Sequence, residues 1–240
     1  MPPRLQLVVP CFNEAGRLEP EAFLQLASTG SDVGFVFVDD GSTDRTAAIL
    51  ADLAARGGPD VTVLSLSGNV GKGAAVRLGI LEALEHNPAF VGFWDADLAT
   101  PLTAIPAFME VFRMKPDVEI VMGARVKLLG RDIRRSLLRH YCGRAFATAA
   151  SITLGIDVYD TQCGAKIFRV TERVRQAFGS PFRSKWIFDV ELLSRYLAAA
   201  GTDSRIYELP LDTWTAVAGS KLTVRHALRA VWDLVTIARR

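Results

Sequence analysis

The sequence predicts an α/β fold: a mostly parallel sheet flanked by helices on both faces. Three observations predict it. Short apolar runs alternate with helical patterns through the first half, and polar signatures recur where those runs end. Half of the 240 residues are apolar while only 22% are charged. That balance suits a large packed core and excludes disorder, coiled coil and collagen-like repeats.

The elements follow in order. Leu5–Val9 reads as a first strand, apolar, β-branched and closed by Pro10-Cys11-Phe12-Asn13-Glu14. A helical stretch over Glu21–Ser28 leads to a second strand, Phe35–Val38, which ends at Asp39-Asp40-Gly41-Ser42. Asp44 or Thr43 can cap a helix over Arg45–Arg56. Val61–Leu66 is a third strand, Ala74–Glu85 a helix, and Phe90–Trp94 a fourth strand closed by Asp95-Ala96-Asp97. A helix over Thr103–Phe112 and a strand over Glu119–Met122 complete the alternation. Such alternation implies right-handed βαβ crossovers, and in sheets of that kind ligands sit beyond the carboxyl ends of the strands. The polar signatures fall at those ends.

After about residue 125 the pattern changes. Leu138, Tyr141, Cys142, Ala145, Phe146, Ala149 and Ile152 follow helical spacing, and Arg135 and Arg139 share one face. A short strand over Lys166–Val170, a helix from Ile187 to Ala199 and a last amphipathic helix from Val224 to Ala238 come next. With no repeat and no low-complexity linker, one domain over 1–240 is expected, its 125–240 half covering the ligand edge of its 1–124 half.

Charge is divided unevenly. Residues 1–100 carry 6 Lys and Arg against 13 Asp and Glu, and residues 101–240 carry 22 against 13. An acidic half suits a divalent cation and a basic half an anionic partner. The three cysteines, Cys11, Cys142 and Cys163, lack the spacing of a zinc or redox site, which predicts a reduced, cytoplasmic setting. Strand-like Leu5–Val9 directly after Met1–Arg4 predicts no secretory leader. The stretch Ala145–Leu154 is far short of the roughly 20 residues that span a bilayer.

Asp95 and Asp97 carry the strongest chemistry. Carboxylates at i and i+2 where a strand ends converge on one cation, and magnesium commonly takes one or two carboxylates plus phosphate oxygens. Asp39 and Asp40 are acceptors suited to a nucleobase or ribose. Gly68-Asn69-Val70-Gly71-Lys72-Gly73 opens a helix as a phosphate loop does, although it matches neither standard glycine-rich motif, and a plain turn explains it equally well. The basic set Arg125, Lys127, Arg131, Arg134, Arg135, Arg139 and Arg144 is opposed within its own stretch only by Asp132. Beside Leu128, Leu129, Leu137 and Leu138 it suits a lipid headgroup. A nucleic-acid module is missing.

In that order, VVPCFNE, FVDDGSTDRT, GNVGKGAAVRLG, WDADLATP and MGAR resemble the GT-A (Rossmann-like) glycosyltransferases of family 2. The later segments Asp160–Phe168 and Lys185–Leu193, with Trp214 and Gly219–Leu222, narrow the likeness to polyprenyl-phosphate sugar synthases of the dolichyl-phosphate β-glucosyltransferase branch. The resemblance implies that Pro10, Asn13, Glu14, Asp39 and Asp40 line the base and ribose site, with Lys72 near the nucleotide. It implies Mg²⁺ or Mn²⁺ on Asp95 and Asp97, and an acceptor phosphate at Arg125 and Arg139, with Arg135 grouped with them. It implies that Asp160 lies close to the reacting sugar; Asp97, Asp160 and Asp189 are the catalytic candidates, with Asp160 and Asp189 left unranked for contacts to sugar hydroxyls.

The activity implied is inverting transfer of glucose from a UDP-sugar to a polyprenyl phosphate at the cytoplasmic membrane face, with peripheral membrane contact. Two alternatives stay open: the same donor chemistry, GDP-mannose included, with a soluble glycan acceptor, or a non-catalytic nucleotide-sugar-binding regulator. Ala99 stands where mannose-transferring relatives often have Gln, which weighs against mannose and leaves one metal ligand unassigned. The N-terminal membrane anchor of the eukaryotic glucosyl enzymes is not expected here, since strand-like Leu5–Val9 follows Met1–Arg4 directly.

Overall fold

A computed structural model describes residues 4–28, 32–134, 137–184 and 187–217. Nine strands and seven α-helices are found among the described residues. In order they are β1 (Leu5–Cys11), α1 (Pro20–Ser28), β2 (Val33–Asp39), α2 (Thr46–Gly57), β3 (Val61–Ser65), α3 (Lys72–Glu85), β4 (Phe90–Trp94) and α4 (Ile105–Met114). Then follow β5 (Ile120–Ala124), β6 (Asp132–Arg134), α5 (Leu137–Leu154), β7 (Ala165–Arg169), α6 (Glu172–Gly179), α7 (Phe188–Ala200), β8 (Ile206–Pro210) and β9 (Thr213–Thr215).

Seven strands form one sheet in the order β3-β2-β1-β4-β7-β5-β8, and β6 pairs with β9 separately. All pairings are parallel except those of β7, which runs antiparallel between β4 and β5. The mostly parallel sheet is therefore as expected. Two strands from beyond residue 125, β7 and β8, are built into its middle and its edge.

Each central strand feeds two cores, because alternate side chains face opposite ways. Leu5, Leu7, Val9 and Cys11 pack with Phe23 of α1, Leu50 and Leu53 of α2 and Phe108 of α4. Val8 packs on the other face with Val76 and Ile80 of α3, Phe178 of α6 and Tyr196 of α7. Burial on both faces explains why these strands read as continuous apolar runs.

Several boundaries move. β1 runs on to Cys11, and α3 starts at Lys72 rather than Ala74, making the lysine the first helical residue. α2 starts at Thr46, where Asp44 Oδ1 accepts the Thr46 N–H at 2.9 Å. The short helix α6 was not expected from sequence; Thr171 Oγ1 caps it by accepting from Val174 N. The predicted apolar stripe of α5 splits. Ala147 and Ala150 are buried and Phe146 and Ala149 pack toward Ile187 and Val190, while Tyr141, Cys142, Ala145 and Ile152 face solvent. The expected helix over 224–238 lies outside the described residues.

Candidate active site

The carboxyl ends of β1, β2, β4 and β5 share one edge of the sheet. β7 is antiparallel, so its beginning lies at that edge too, and Trp94 stands opposite Ala165. The turn Asp160–Gly164 is thereby delivered to Asp95, whose N–H donates to the Gly164 carbonyl at 3.0 Å. Gly164 leaves room for the Asp95 carboxylate, which a Cβ would overlap and force to move.

β4 ends at Trp94, whose indole N–H donates to the Thr100 carbonyl at 2.7 Å. The chain then turns sharply: Leu98 N–H donates to the Asp95 carbonyl, and Leu98 takes a left-handed φ of 49°. A left-handed leucine is a strained choice that a functional turn can retain. Asp97 Oδ1 accepts the Ala99 N–H at 3.1 Å. Burial and the neighbouring Asp95 charge push the Asp97 carboxyl above its ordinary range.

Lys72, on the first turn of α3, reaches Asp95 Oδ1 at 2.5 Å. Desolvation opposes its charge, but Asp95, Asp189 and Asp97 outweigh it and hold the ammonium above its ordinary pKa. Glu14 completes the acidic group. Burial raises its pKa, Arg17 at 2.5 Å opposes the rise, and Asp97 and Asp95 add to it. Glu14 Oε2 is a buried acceptor that takes no hydrogen bond. No described group of three or more His, Cys, Asp or Glu side chains forms a complete metal cage. The pair Asp95 and Asp97 does suit a divalent cation whose shell is completed by a ligand's oxygens, since the two bring like charges together at one strand end.

The loops after β1 and β2 are stapled together. Asn13 N–H donates to Ser42 Oγ, Glu14 N–H to Thr46 Oγ1 and Ala15 N–H to Asp44 Oδ2. Asn13, in the left-handed region, accepts the Thr43 N–H at 2.8 Å. Asp39 Oδ1 takes the Ser42 N–H at 2.9 Å. Asp40 has a use the sequence did not reveal: its carboxylate accepts Val70 N–H, Gly71 N–H and Asn69 Nδ2, fixing the glycine-rich loop ahead of Lys72.

The basic set is far less free than its sequence suggests, because the fold brings in distant partners. Arg125 clasps Asp160 through Nε at 2.6 Å and Nη2 at 2.7 Å, and its guanidinium lies 5.3 Å from the Trp214 ring centroid. Arg131 pairs with Asp212, Arg134 with Asp132, and Arg144 stacks on Tyr159 and donates to its carbonyl. Arg135 lies outside the described residues, and for Arg139 only its place in α5 is described.

The Arg125–Asp160 clasp is tight. Burial tends to raise the Asp160 carboxyl, yet Arg125 overrides it and holds the group below its ordinary value of 3.8. Glu208 on β8 supports the turn by accepting the Tyr159 and Asp160 N–H groups at 2.7 and 2.8 Å. Removing one partner of such a pair strands a buried charge. Arg125→Ala is expected to cost about 3–5 kcal/mol in denaturant unfolding, with most of the loss recovered in Arg125→Met/Asp160→Asn. A depressed carboxylate stabilises above its unfolded pKa and loses that contribution as pH falls through the folded value. In Arg125→Ala burial acts on Asp160 without the arginine and raises its carboxyl, so the stability gap should narrow as pH falls through that raised value and proton uptake neutralises the stranded charge; a gap that widens as pH falls would contradict the ion pair.

Asp189, on the first turn of α7, is joined by a lysine that sequence reasoning passed over. Lys166 is 0% exposed and donates to Asp189 Oδ1 and to the Cys163 carbonyl, both at 2.6 Å. Its signal was visible: a lysine between Ala165 and Ile167 in a mostly buried strand. Burial raises the Asp189 carboxyl, against the pull of Lys166 and Lys72. All three cysteines are unpaired.

A sheet wound in this order, with paired acids and a helix-borne lysine crowded at its carboxyl edge, is the arrangement of a GT-A glycosyltransferase. The glycosyl transferase family 2 profile matches residues 6–172, and the chain belongs to that family. It is 35% identical over 237 residues to the dolichyl-phosphate β-glucosyltransferase of Drosophila melanogaster, covering 91% of this chain and 69% of that one. The Saccharomyces cerevisiae enzyme of the same name is 30% identical over 254 residues, covering 97% and 73%. Among solved structures, glucosyl-3-phosphoglycerate synthase from Mycobacterium tuberculosis, in complex with Mn²⁺, UDP-glucose and phosphoglyceric acid, superposes with a TM-score of 0.68 at 18% identity. That superposition covers 98% of this chain and 79% of the synthase.

Proposed function

We propose that this enzyme transfers glucose from UDP-glucose to a polyprenyl phosphate, with inversion, at the cytoplasmic face of a membrane. The observation that carries this reading is the likeness to dolichyl-phosphate β-glucosyltransferases, at 30–35% identity over nine-tenths or more of the chain. The β linkage in their name, set against the α linkage of UDP-glucose, corresponds to inversion. Residues 1–124 serve the donor and 125–240 the acceptor, within one catalytic unit.

Asp95 and Asp97 would hold Mg²⁺ or Mn²⁺. Bound there, a divalent cation supplies neutralisation of the negative charge that develops on the departing diphosphate. Lys72 lies beside the same position and offers its ammonium to a phosphate oxygen. Pro10, Asn13, Glu14 and Asp39 receive the base and ribose, while Asp40 acts through the loop it fixes.

An acceptor phosphate has a second pKa near 6, so it is already a nucleophile at neutral pH. A strong general base is unnecessary, and orientation becomes the main task. Arg125 has Nε and Nη2 committed to Asp160, which aims the guanidinium and leaves Nη1 for the phosphate, joined by Arg135 and Arg139. In this role Asp160 positions Arg125 rather than taking a proton. Asp189, held by Lys166, faces the sugar hydroxyls.

The test is incubation with radiolabelled UDP-glucose, a polyprenyl phosphate and Mn²⁺. Label is expected in the organic phase. Label that passes instead to a water-soluble acceptor would overturn the lipid assignment.

A further inference from the structure

Six large apolar side chains are exposed among the described residues, and four of them, Leu128, Leu129, Tyr141 and Ile152, fall within one stretch between β5 and the end of α5. Scattered exposed apolar residues need no explanation, but clustering on one segment does. Leu128 is 50% exposed and Leu129 104%. They sit on a turn closed by the Arg131 N–H donating to the Leu128 carbonyl at 3.2 Å. Gly130, at φ 82°, takes the left-handed corner and leaves Leu129 at the tip.

The turn is held out by its base. Arg131 pairs with Asp212 and donates to the Pro210 carbonyl, and Asp132 N–H donates to the Asp212 carbonyl at 2.8 Å. A braced turn that points two leucines into water is unlike ordinary polar loops.

The helix that follows agrees with it. From Tyr141 to Leu154 it carries one charged residue, Arg144, and that guanidinium is turned inward onto Tyr159. Its exposed positions are Tyr141, Cys142, Ala145, Thr148 and Ile152, where a solvent-facing helix normally shows charges. No described helix is long and apolar enough to cross a membrane; an uncharged exposed face like that of α5 can lie along a surface. Lys127, exposed at the foot of the turn, adds the positive charge that anionic headgroups attract.

We propose that the Leu128–Leu129 turn, with Lys127 at its foot, inserts into the headgroup boundary of a bilayer and docks the enzyme there. The purpose of the contact rests on the lipid-phosphate reading: the turn begins three residues after Arg125, so docking brings the acceptor arginine to the surface from which a polyprenyl phosphate is taken. A second copy of the chain fits less well, because an apolar interface between copies has no need of a flanking lysine.

The test is co-sedimentation of the full chain with vesicles of mixed phosphatidylcholine and phosphatidylglycerol. Wild type is expected to pellet with them. Leu128→Ser/Leu129→Ser should weaken partitioning by at least about 10-fold, as expected for two lost aliphatic side chains. Lys127→Glu should weaken it on anionic vesicles and leave it unchanged on phosphatidylcholine alone. Thermal midpoint and turnover with a short, water-soluble isoprenyl phosphate should match wild type in these variants. Wild type that stays in the supernatant overturns the proposal. So does a double serine variant that pellets equally, or one whose only change is from dimer to monomer. Leucine-dependent sedimentation without transfer to the short isoprenyl phosphate upholds the docking surface and instead removes the acceptor assignment.

Discussion

Replacing Asp97 by asparagine should lower metal-dependent turnover by about 10²–10³-fold while leaving the fold intact. Asp97 contributes an acceptor to the acidic group and little to its surroundings beyond the Ala99 N–H, which an amide oxygen also accepts. Its raised pKa means that the ionised form is disfavoured, through burial and the Asp95 charge. The sign for stability follows. A carboxyl raised on folding makes the native state bind more protons, so it opposes folding as pH rises through its titration. Asparagine removes that opposition, and the metal-free variant should melt at or slightly above wild type near neutral pH. Mn²⁺ should raise the melting temperature of wild type, because it binds only the folded chain, and should have little effect on the variant. Wild-type turnover or an undiminished Mn²⁺ shift in the variant would remove the metal assignment.

The second large effect belongs to Gly164, which carries no functional group. A methyl there overlaps the Asp95 carboxylate, and that carboxylate is also the partner of Lys72. Gly164→Ala must therefore rotate Asp95 or push β7 away from β4. Displacements of about 1 Å at a reacting centre cost on the order of 10² in rate. A loss of that size in kcat/KM is expected, with a folded circular dichroism spectrum. Gly179→Ala is the control, because a Cβ there meets nothing within 4 Å and should be tolerated. Equal activities in the two variants would show that Asp95 need not stand where Gly164 lets it.

Much of the acidic part of the candidate site was legible in the sequence because it obeys local rules. Apolar runs ending in Asp39-Asp40 and Asp95-Ala96-Asp97 mark strand ends, and strand ends in parallel sheets mark ligand sites. What stayed hidden depends on long-range geometry. The direction of β7 cannot be read from Ala165–Arg169, yet it decides that Asp160 and Gly164 meet Asp95. The segment 125–144 looked like unopposed charge because Asp160 and Asp212 lie far along the chain. β8 escaped notice since Glu208 and Pro210 interrupt its pattern, and Pro210 argues against a central strand, though an edge strand accepts it. The hold of Asp40 on the glycine-rich loop through both of its oxygens is likewise a contact between segments some thirty residues apart.

The place of β7 also bears on the order in which the molecule can assemble. β5 pairs only with β7 and β8, so as the ribosome releases residues 120–124 they have no neighbour until some forty further residues have emerged. β4 meanwhile offers an unpaired edge, the kind of template that recruits other nascent chains. The early Rossmann-like portion is thus a poor candidate for excision as a free-standing sensor of nucleotides. Its synthesis is best completed quickly, or under the care of a chaperone.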